Sequence, residues 1–536
     1  MKTIRNYPQQ AACILVLLLL LCATHVSGQE ADFRKLSKTY TLHDDGSTEV
    51  RVEKDLLLHT HLAFNSLYGE TFIVYNPEYQ SVEFHSAYTT QADGTRIDVP
   101  ENAFNEVLPS FAADAPAYNG LKEIVVTHTG LETGASIYLD YTLHTKAGYY
   151  PALDIDEIIQ ESSPVKAYTI TVNVPESKAL SYHLNASKIA PSVQKGNGTV
   201  RYRWNFKNIP ASSKLPFLPL NHTDAIRLTA STATSAEDVL TGWAQSWDES
   251  LDTGWKTYAR SLTESCKTPE EKADVLQKYV STRIGNSGVS PEACGYKLRN
   301  ANEVLRSAYG TETEKTNLLA ALFREAGLNP RIVAVYPAGM AYGLQPIRSF
   351  AVMCGNRFYS ALRQSTGIES RGGLDEVWAF DGQKASPLTV EARTKENILS
   401  LETRGDDWKQ IPVNNGYAIL EGKQKSDVHF WQMERLNSKR NVVLEIPGLI
   451  HTDYTHRITL PEGSELQTLP VEIKLEKPVG RIHISITKNE NIVTVKRELE
   501  LKKQQIPPSE YKDFREIINT WLDKNTEQVL VRLNEN

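Results

Sequence analysis

Apolar and polar residues alternate over the first and last parts of the chain, whereas the middle part repeats its apolar residues at a helical spacing. From about residue 32 to residue 230, short β-branched and aromatic runs are separated by glycine turns such as Asp45-Gly46, Asp93-Gly94 and Asn197-Gly198. Such two-residue turns between alternating runs are typical of β-hairpins. The pattern predicts an N-terminal antiparallel β sandwich.

Near Ser235 the apolar period changes from that of strands to that of helices. Capping signals predict helices that begin near Thr268, Asn300 and Thr311. The third of these is expected to end near residue 325, and two apolar strands follow at residues 331–336 and 350–353. Helices followed by strands predict a central α+β core.

From about residue 437 the alternation returns in five runs between residues 442 and 497, followed by a helix near residues 507–523 and a closing strand at 528–532. The chain is therefore predicted to be an α+β multidomain protein. Its predicted parts are a signal peptide at 1–28, a β sandwich at 29–230, an α+β core at 231–430 and a C-terminal β domain with a terminal helix at 431–536.

The first 28 residues have the pattern of a signal peptide. Lys2 and Arg5 precede an apolar run at residues 11–23, which is too short to span a bilayer, and cleavage is expected after Gly28. We therefore expect an exported protein, periplasmic or extracellular, with no integral membrane segment after cleavage.

Charge and cysteine content exclude several classes of partner. The 58 Lys and Arg residues against 65 Asp and Glu give a net charge of -7, so we expect no nucleic-acid partner. The cysteines that remain after cleavage, Cys266, Cys294 and Cys354, have no zinc-site spacing. His59 and His61 alternate on one predicted strand face without a third ligand. We predict neither a metal nor a cofactor.

Three stretches in the core resemble exported bacterial proteins of the transglutaminase-like superfamily: residues 302–305, 309–315 and 318–327. Where such proteins read Tyr-Gly-Asp-Cys-Lys-Asp-Lys, this chain reads Tyr-Gly-Thr-Glu-Thr-Glu-Lys. The flanking β regions also resemble those of the family at residues 75–80 and 506–514. The resemblance covers nearly the whole mature chain and implies a transglutaminase-like, papain-like core between two β domains.

The resemblance also implies where the catalytic triad of the family would lie. Glu312 takes the place of the nucleophilic cysteine, Ser349 that of the histidine, and Ala361 or Leu362 that of the acid. A carboxylate at a helix N-terminus is a good cap but a poor nucleophile. Moreover, the sequence has no histidine between His222 and His429, so a Cys-His pair cannot form within the core. The sequence therefore predicts a pseudoenzyme.

The predicted function is that of a binding or accessory module for an unidentified peptide, protein or glycan. The expected cleft lies at the start of the helix near residue 313 and is lined by Tyr309, Glu312, Ser349 and Tyr359. Two alternatives stay open. One is an active thiol amidase, peptidase or transglutaminase that uses Cys294 with His222 or His429, and the other is a structural spacer.

Overall fold

The computed structural model describes residues 30–533, with gaps at 186, 213–215, 219–224, 365–374, 390–398, 405–407, 414–415, 423–427, 429–430, 432, 437–439, 441 and 461. The predicted signal peptide lies outside the described residues. The fold is α+β and multidomain, as the sequence predicts.

The N-terminal region is built from strands in three sheets. The strands are β1 Ala31–Leu42, β2 Thr48–Leu58, β3 Glu70–Tyr75, β4 Gln80–Thr90, β5 Arg96–Asp98, β6 Phe104–Val107, β7 Lys122–Thr127, β8 Ser136–Thr145, β9 Asp154–Ile158, β10 Val165–Pro175, β11 Ser181–Asn185, β12 Ser192–Gly196, β13 Thr199–Ile209 and β14 Arg227–Ser231. The sheets have the orders β12-β13-β10-β1-β2-β8-β4-β5, β3-β7-β6 and β11-β14-β9.

One strand pair departs from the antiparallel prediction. Strands β1 and β10 run parallel, with Phe33 opposite Val165. Parallel neighbours need a long connection, and eight strands lie between these two in the chain, so no local turn signal could reveal the pairing. Buried aromatic side chains, including Tyr168, Trp204 and Phe206, fill the core beneath this sheet.

In its described residues, the central region contains five α-helices, a five-stranded sheet and the short strand pair β15–β16. Its elements are α1 Ala236–Ala244, α2 Thr253–Thr263, α3 Pro269–Arg283, β15 Gly285–Asn286, α4 Ala301–Ser307, β16 Tyr309–Gly310, α5 Glu312–Glu325, β17 Pro330–Pro337, β18 Ser349–Cys354, β19 Arg357–Tyr359, β20 Asp375–Phe380 and β21 Ala385–Leu388. The sheet order is β19-β18-β17-β20-β21.

Helix α5 lies at the centre of this region, and every residue from 313 to 323 is buried. It packs against α3, α4 and the strands β17 and β18. When a helix is buried on all sides, its polar side chains must find their hydrogen-bond partners within the protein.

The C-terminal region is a second β structure, and its described residues include one α-helix of eleven residues. Its elements are β22 Leu399–Arg404, β23 Trp408–Val413, β24 Tyr417–Gly422, β25 Leu444–Glu445, β26 Ile450–Thr459, β27 Glu465–Leu466, β28 Val471–Lys477, β29 Gly480–Asn489, β30 Ile492–Leu501, β31 Gln505–Ile506, α6 Tyr511–Trp521 and β32 Gln528–Arg532. The larger sheets have the orders β22-β26-β30-β29-β28 and β23-β24-β32-β27.

Strands β22, β23 and β24 fall within residues that the sequence analysis assigned to the core. Strand β22 pairs with β26, and β24 pairs with β32. Strand pairing therefore groups residues from 399 onward with the C-terminal sheets, ahead of the predicted boundary at residue 431. In the part of the chain that the structure describes, no helix combines the length and the apolar character needed to cross a bilayer.

Candidate functional site

The start of helix α5 is fixed by a buried carboxylate hub. Thr311 is the N-cap, its side chain accepts from the amide of Glu314, and its own amide donates to Glu314 Oε2 at 2.9 Å. Arg299 donates to both oxygens of the same carboxylate, with Nε to Oε1 at 3.0 Å and Nη2 to Oε2 at 2.9 Å. The hydroxyl of Tyr118, from the N-terminal region, donates to it as well. This reciprocal capping box confirms the predicted helix start.

The charge state of Glu314 follows from these contacts. Burial by itself raises the pKa of this carboxyl, but the hydrogen bonds and charge of Arg299 outweigh it and hold the pKa below its ordinary value. The Glu314 side chain is 1% exposed and that of Arg299 is 16% exposed. Arg299 and Glu314 thus form an ionised pair that is largely shielded from solvent and that fixes the start of the helix.

Glu312, in the predicted place of a catalytic cysteine, is half-buried at the first helical position. Its Oε1 accepts a hydrogen bond from the backbone amide of Phe350, the second residue of β18, at 3.0 Å. A carboxylate at this place is stabilised by the helix N-terminus. It therefore ties the helix to the strand.

The structure places Ser349 differently from the prediction. Phe350 and Val352 belong to the hydrophobic cluster around α5, whereas Met353 packs with the cluster on the other face of the sheet. Because neighbouring strand residues face opposite sides, Ser349 shares the face of Met353 and points away from the helix. The β18 side chain that faces α5 beside Glu312 is Phe350, an apolar ring that has no proton to transfer.

Of the two predicted acid positions, Ala361 lies on the α5 side. It is 1% exposed and belongs to the same hydrophobic cluster as Phe350. Leu362 follows it and is half-buried. Neither side chain can orient an imidazole or accept a proton.

Tyr359 does not line a cleft at the helix start. It is 1% exposed and packs edge to face on Phe323, with ring centroids 5.3 Å apart. Phe323 lies eleven residues after Glu312, which corresponds to about 16 Å along a helix. The alternating pattern predicted a strand here but not how deeply the Tyr359 side chain is buried.

Tyr309 is held from the N-terminal side. Its hydroxyl accepts the amide of Ala117 at 2.7 Å, and the guanidinium of Arg299 lies 4.7 Å from its ring centroid. The segment before β7 thus covers the face of the core where the cleft was expected. Of the four predicted residues, Tyr309 and Glu312 therefore lie at the helix start, while Ser349 faces the other side of β18 and Tyr359 is buried farther along the helix.

Lys315 is a second buried ionisable group on α5. Its side chain is fully buried, and its ammonium donates to the carbonyl of Ile284 at 2.7 Å and to the side chain of Asn286. Burial lowers the pKa of this ammonium to about 8. The lysine links α5 to the end of α3 and, like Glu314, uses its polar atoms within the protein.

The three described cysteines carry free thiols in half-buried places. Burial raises the pKa of the Cys294 thiol to about 12, and the negative charge of Glu314 contributes to this rise. Burial also raises the pKa of Cys354. Thiols with raised pKa values are weak nucleophiles near neutral pH.

The histidines suggested as partners for Cys294, His222 and His429, lie outside the described residues. His59 follows the end of β2, where its ring meets Asp32 at 3.2 Å, and His61 begins a helical turn with its ring 5.0 Å from Phe64. The prediction of one shared strand face for these two was wrong because β2 ends at Leu58. Within the described ranges, no group of three His, Cys, Asp or Glu side chains is arranged to hold a metal.

Sequence reasoning missed a cavity of about 820 Å³ between the N-terminal region and helix α1. Aromatic residues of both regions line it, among them Tyr150, Trp243 and Tyr296. The Trp243 indole donates to the carbonyl of Tyr296 at 2.7 Å. The Gly148-Tyr-Tyr and Gly295-Tyr pairs are visible in the sequence, but only the tertiary fold brings them together.

A β region, an α+β core built around a buried helix, and a second β region follow one another in this chain. This order is typical of multidomain proteins with a transglutaminase-like core. Family models match at residues 44–213 (domain of unknown function DUF3857), 256–371 (transglutaminase-like superfamily) and 419–531 (domain of unknown function DUF3858). The chain belongs to this transglutaminase-like family.

Two solved structures are similar to the chain to different degrees. A crystal structure described as a putative protease from Parabacteroides distasonis shares 39% identity and a TM-score of 0.82 over 94% of this chain and 99% of that chain. One described as a putative cysteine protease from Cytophaga hutchinsonii shares 13% identity and a TM-score of 0.19 over 44% of this chain and 85% of that chain, which is too remote for any argument. No functionally curated protein matches.

Proposed function

We propose that the protein is an exported transglutaminase-like pseudoenzyme that binds a peptide or glycan as an accessory module. The observation that carries this proposal is the hydrogen bond from the Phe350 amide to Glu312 at the start of α5. A carboxylate at this place serves as a structural link, and the strand opposite it presents a phenyl ring. Export is supported by the pattern of residues 1–28 alone.

The competing function is that of an active thiol enzyme that uses Cys294. It draws on the 39% identical structure, which is described as a putative protease. Against it stands the thiol itself, because a pKa raised to about 12 leaves little thiolate at neutral pH. Tyr149 also covers this segment by donating its hydroxyl to the carbonyl of Ala293 at 2.7 Å.

Turnover assays test the proposal directly. The mature protein is incubated near pH 7.5 with fluorogenic peptide amides and with a glutamine peptide plus a labelled primary amine. Release and amine incorporation should equal those of a Cys294→Ala, Cys354→Ala double variant. Saturable turnover by the wild-type protein that this variant lacks would overturn the pseudoenzyme assignment.

A further inference from the structure

The cavity between the N-terminal region and the core has the size and place of a ligand site. Its volume of about 820 Å³ lies within the range of small-molecule pockets, which form preferentially between domains. Its walls come from the β1–β2 turn, the segment before β9, the turn after β10, helix α1 and residues 295–297. Apart from α1, each wall is an element end, a turn or a loop segment, and none of the four residues of the predicted cleft lines the cavity.

One face of α1 forms the floor of the cavity. Asp238 and Gly242 are four residues apart and both line it, which places them on one face of the helix. A Cβ atom added at Gly242 would meet no atom within 4 Å. A glycine inside a helix is unfavourable relative to alanine, and packing among the described residues does not require one here. The glycine leaves room for something that approaches the helix closely.

Tyr296 in the wall is costly in two ways. Its φ of 60° lies in the left-handed region, directly after Gly295 at 62°, and such strain in a bulky residue is typical of functional sites. The side chain is 5% exposed, and its buried hydroxyl has no hydrogen-bond partner among the described residues. A buried hydroxyl without a partner is unfavourable. Because this oxygen is shielded from the cavity as well as from bulk solvent, it is the backbone conformation of Tyr296, and not its hydroxyl, that points to a functional site.

The charged residues of the lining carry both signs. Asp44, Asp45, Asp238, Lys178 and Lys297 line the cavity, and across the described ranges none of them forms an ion pair. The ammonium of Lys297 instead lies 3.9 Å from the centroid of the Tyr79 ring. Three carboxylates and two ammonium groups that form no ion pair complement a ligand that itself carries one positive and one negative end. A neutral glycan would leave these charges without a group of opposite sign.

We propose that this cavity binds a short peptide whose free amino and carboxyl ends meet the carboxylates and the lysines, with its side chains against Tyr150 and Trp243. This inference rests on the proposed binding function and names the ligand class and the place. It moves the binding site from the start of α5 to the boundary with the N-terminal region.

The test is affinity selection with a defined probe. A mixture of random tripeptides with free ends is passed with the mature protein through a size-exclusion column, and the co-eluting peptides are identified by mass spectrometry. The same mixture with acetylated and amidated ends, and a mixture of neutral trisaccharides, serve as competing probes. Gly242→Trp fills the cavity, and Gly254→Trp is the matched control, because Gly254 is also a helical glycine with no atom within 4 Å of an added Cβ.

We expect the wild-type protein and Gly254→Trp to retain free tripeptides, with at least tenfold less retained by Gly242→Trp or when the ends are blocked. Lys178→Ala, at an exposed position, should lower retention without affecting folding. No retention of free tripeptides, equal retention by Gly242→Trp, or selection of the trisaccharides would overturn the inference. Intact retained peptides agree with both proposals, whereas retained and cleaved peptides would keep the site and refute the pseudoenzyme.

Discussion

At the residue scale, the ionisable groups at the start of α5 are held in place by hydrogen bonds within the protein. Glu314 accepts from Arg299, Thr311 and Tyr118, and Glu312 accepts from the amide of Phe350. A catalytic group needs a proton to transfer or an electron pair to share in the transition state. These carboxylates contribute to stability, and substituting them or their partners should lower the free energy of unfolding.

Substitution of Arg299 by alanine should be strongly destabilising. It leaves the carboxylate of Glu314 buried without its main partner, and removing one member of a buried pair costs about 3–5 kcal/mol. Urea unfolding measures the loss. Arg306→Ala is the matched control, because the pair of Arg306 with Asp252 is exposed and should be worth less than about 1 kcal/mol. Equal losses in the two variants would contradict the described hub.

Asp154 should make stability depend on pH. Burial raises the pKa of this carboxyl to about 6, although Ser231 and the amide of Leu344 donate to it. The folded state therefore keeps a proton on Asp154 that the unfolded state releases near pH 4. The stabilisation that this bound proton gives the folded state is present at low pH and is lost as the pH rises through about 6. Wild type should gain on the order of 1–2 kcal/mol relative to Asp154→Asn between pH 7 and pH 4.5.

The control for this measurement is Asp248→Asn. Hydrogen bonds from Ser250 lower the pKa of Asp248, so the difference between wild type and this variant should be flat between pH 7 and pH 4.5 and should shrink only at lower pH. A difference for Asp154→Asn that stays flat, or that grows as the pH rises, would show that the buried carboxyl does not hold its proton.

At the element scale, helix starts could be predicted from the sequence because capping residues lie three positions apart. The boxes at Thr268, Asn300 and Thr311 all form in the structure. Which side chains of β18 face α5 could not be predicted. A shift of one residue exchanges the two faces of a strand, and the family motif is too diverged here to fix the register. Ser349 was therefore expected where Phe350 lies.

A cysteine at Glu312 should be reactive but not catalytic. The N-terminus of α5 lowers the pKa of a thiol placed there, so Glu312→Cys should react with iodoacetamide at pH 7.5 more than about tenfold faster than Cys294, whose pKa is raised to about 12. Peptide mapping by mass spectrometry gives both rates in one sample.

The same variant should not hydrolyse peptide amides, because the side chain of β18 facing α5 is Phe350. Thr253→Cys, at the first position of α2, controls for a thiol at a helix start elsewhere. Peptide hydrolysis by Glu312→Cys that Thr253→Cys lacks would reveal a general base near α5 and contradict the account of this element.

At the scale of the whole molecule, the parts of the chain are joined by buried polar contacts. Arg440 donates to the carbonyls of Pro216 at 2.8 Å and Phe217 at 3.1 Å, and the Phe217 side chain packs against the C-terminal hydrophobic cluster. The order of β, α+β and β regions could be predicted from local periodicity. These contacts and the cavity could not, because they join residues hundreds of positions apart.

Removal of the Arg440 side chain should loosen the C-terminal region. Arg440→Ala leaves these carbonyls without their charged donor, and each lost bond costs about 1.5–3 kcal/mol. We therefore expect calorimetry to show that the unfolding temperature of the C-terminal region falls by roughly 5 °C or more. Lys488→Ala, at an exposed residue of the β29 end, should leave the thermogram unchanged. An unshifted C-terminal transition in Arg440→Ala would mean that the contact does not join the two regions.

The most direct test of the central claim, that no thiol of this protein is activated, is the rate at which each cysteine of the folded mature protein reacts with a peptide electrophile near neutral pH. Cys266, Cys294 and Cys354 are followed separately by mass spectrometry, with the urea-unfolded protein as reference. We expect Cys294 and Cys354 to react no faster in the folded protein than in the unfolded one. Fast and saturable labelling of one cysteine, abolished when His222 or His429 is replaced, would contradict it and identify a thiol enzyme.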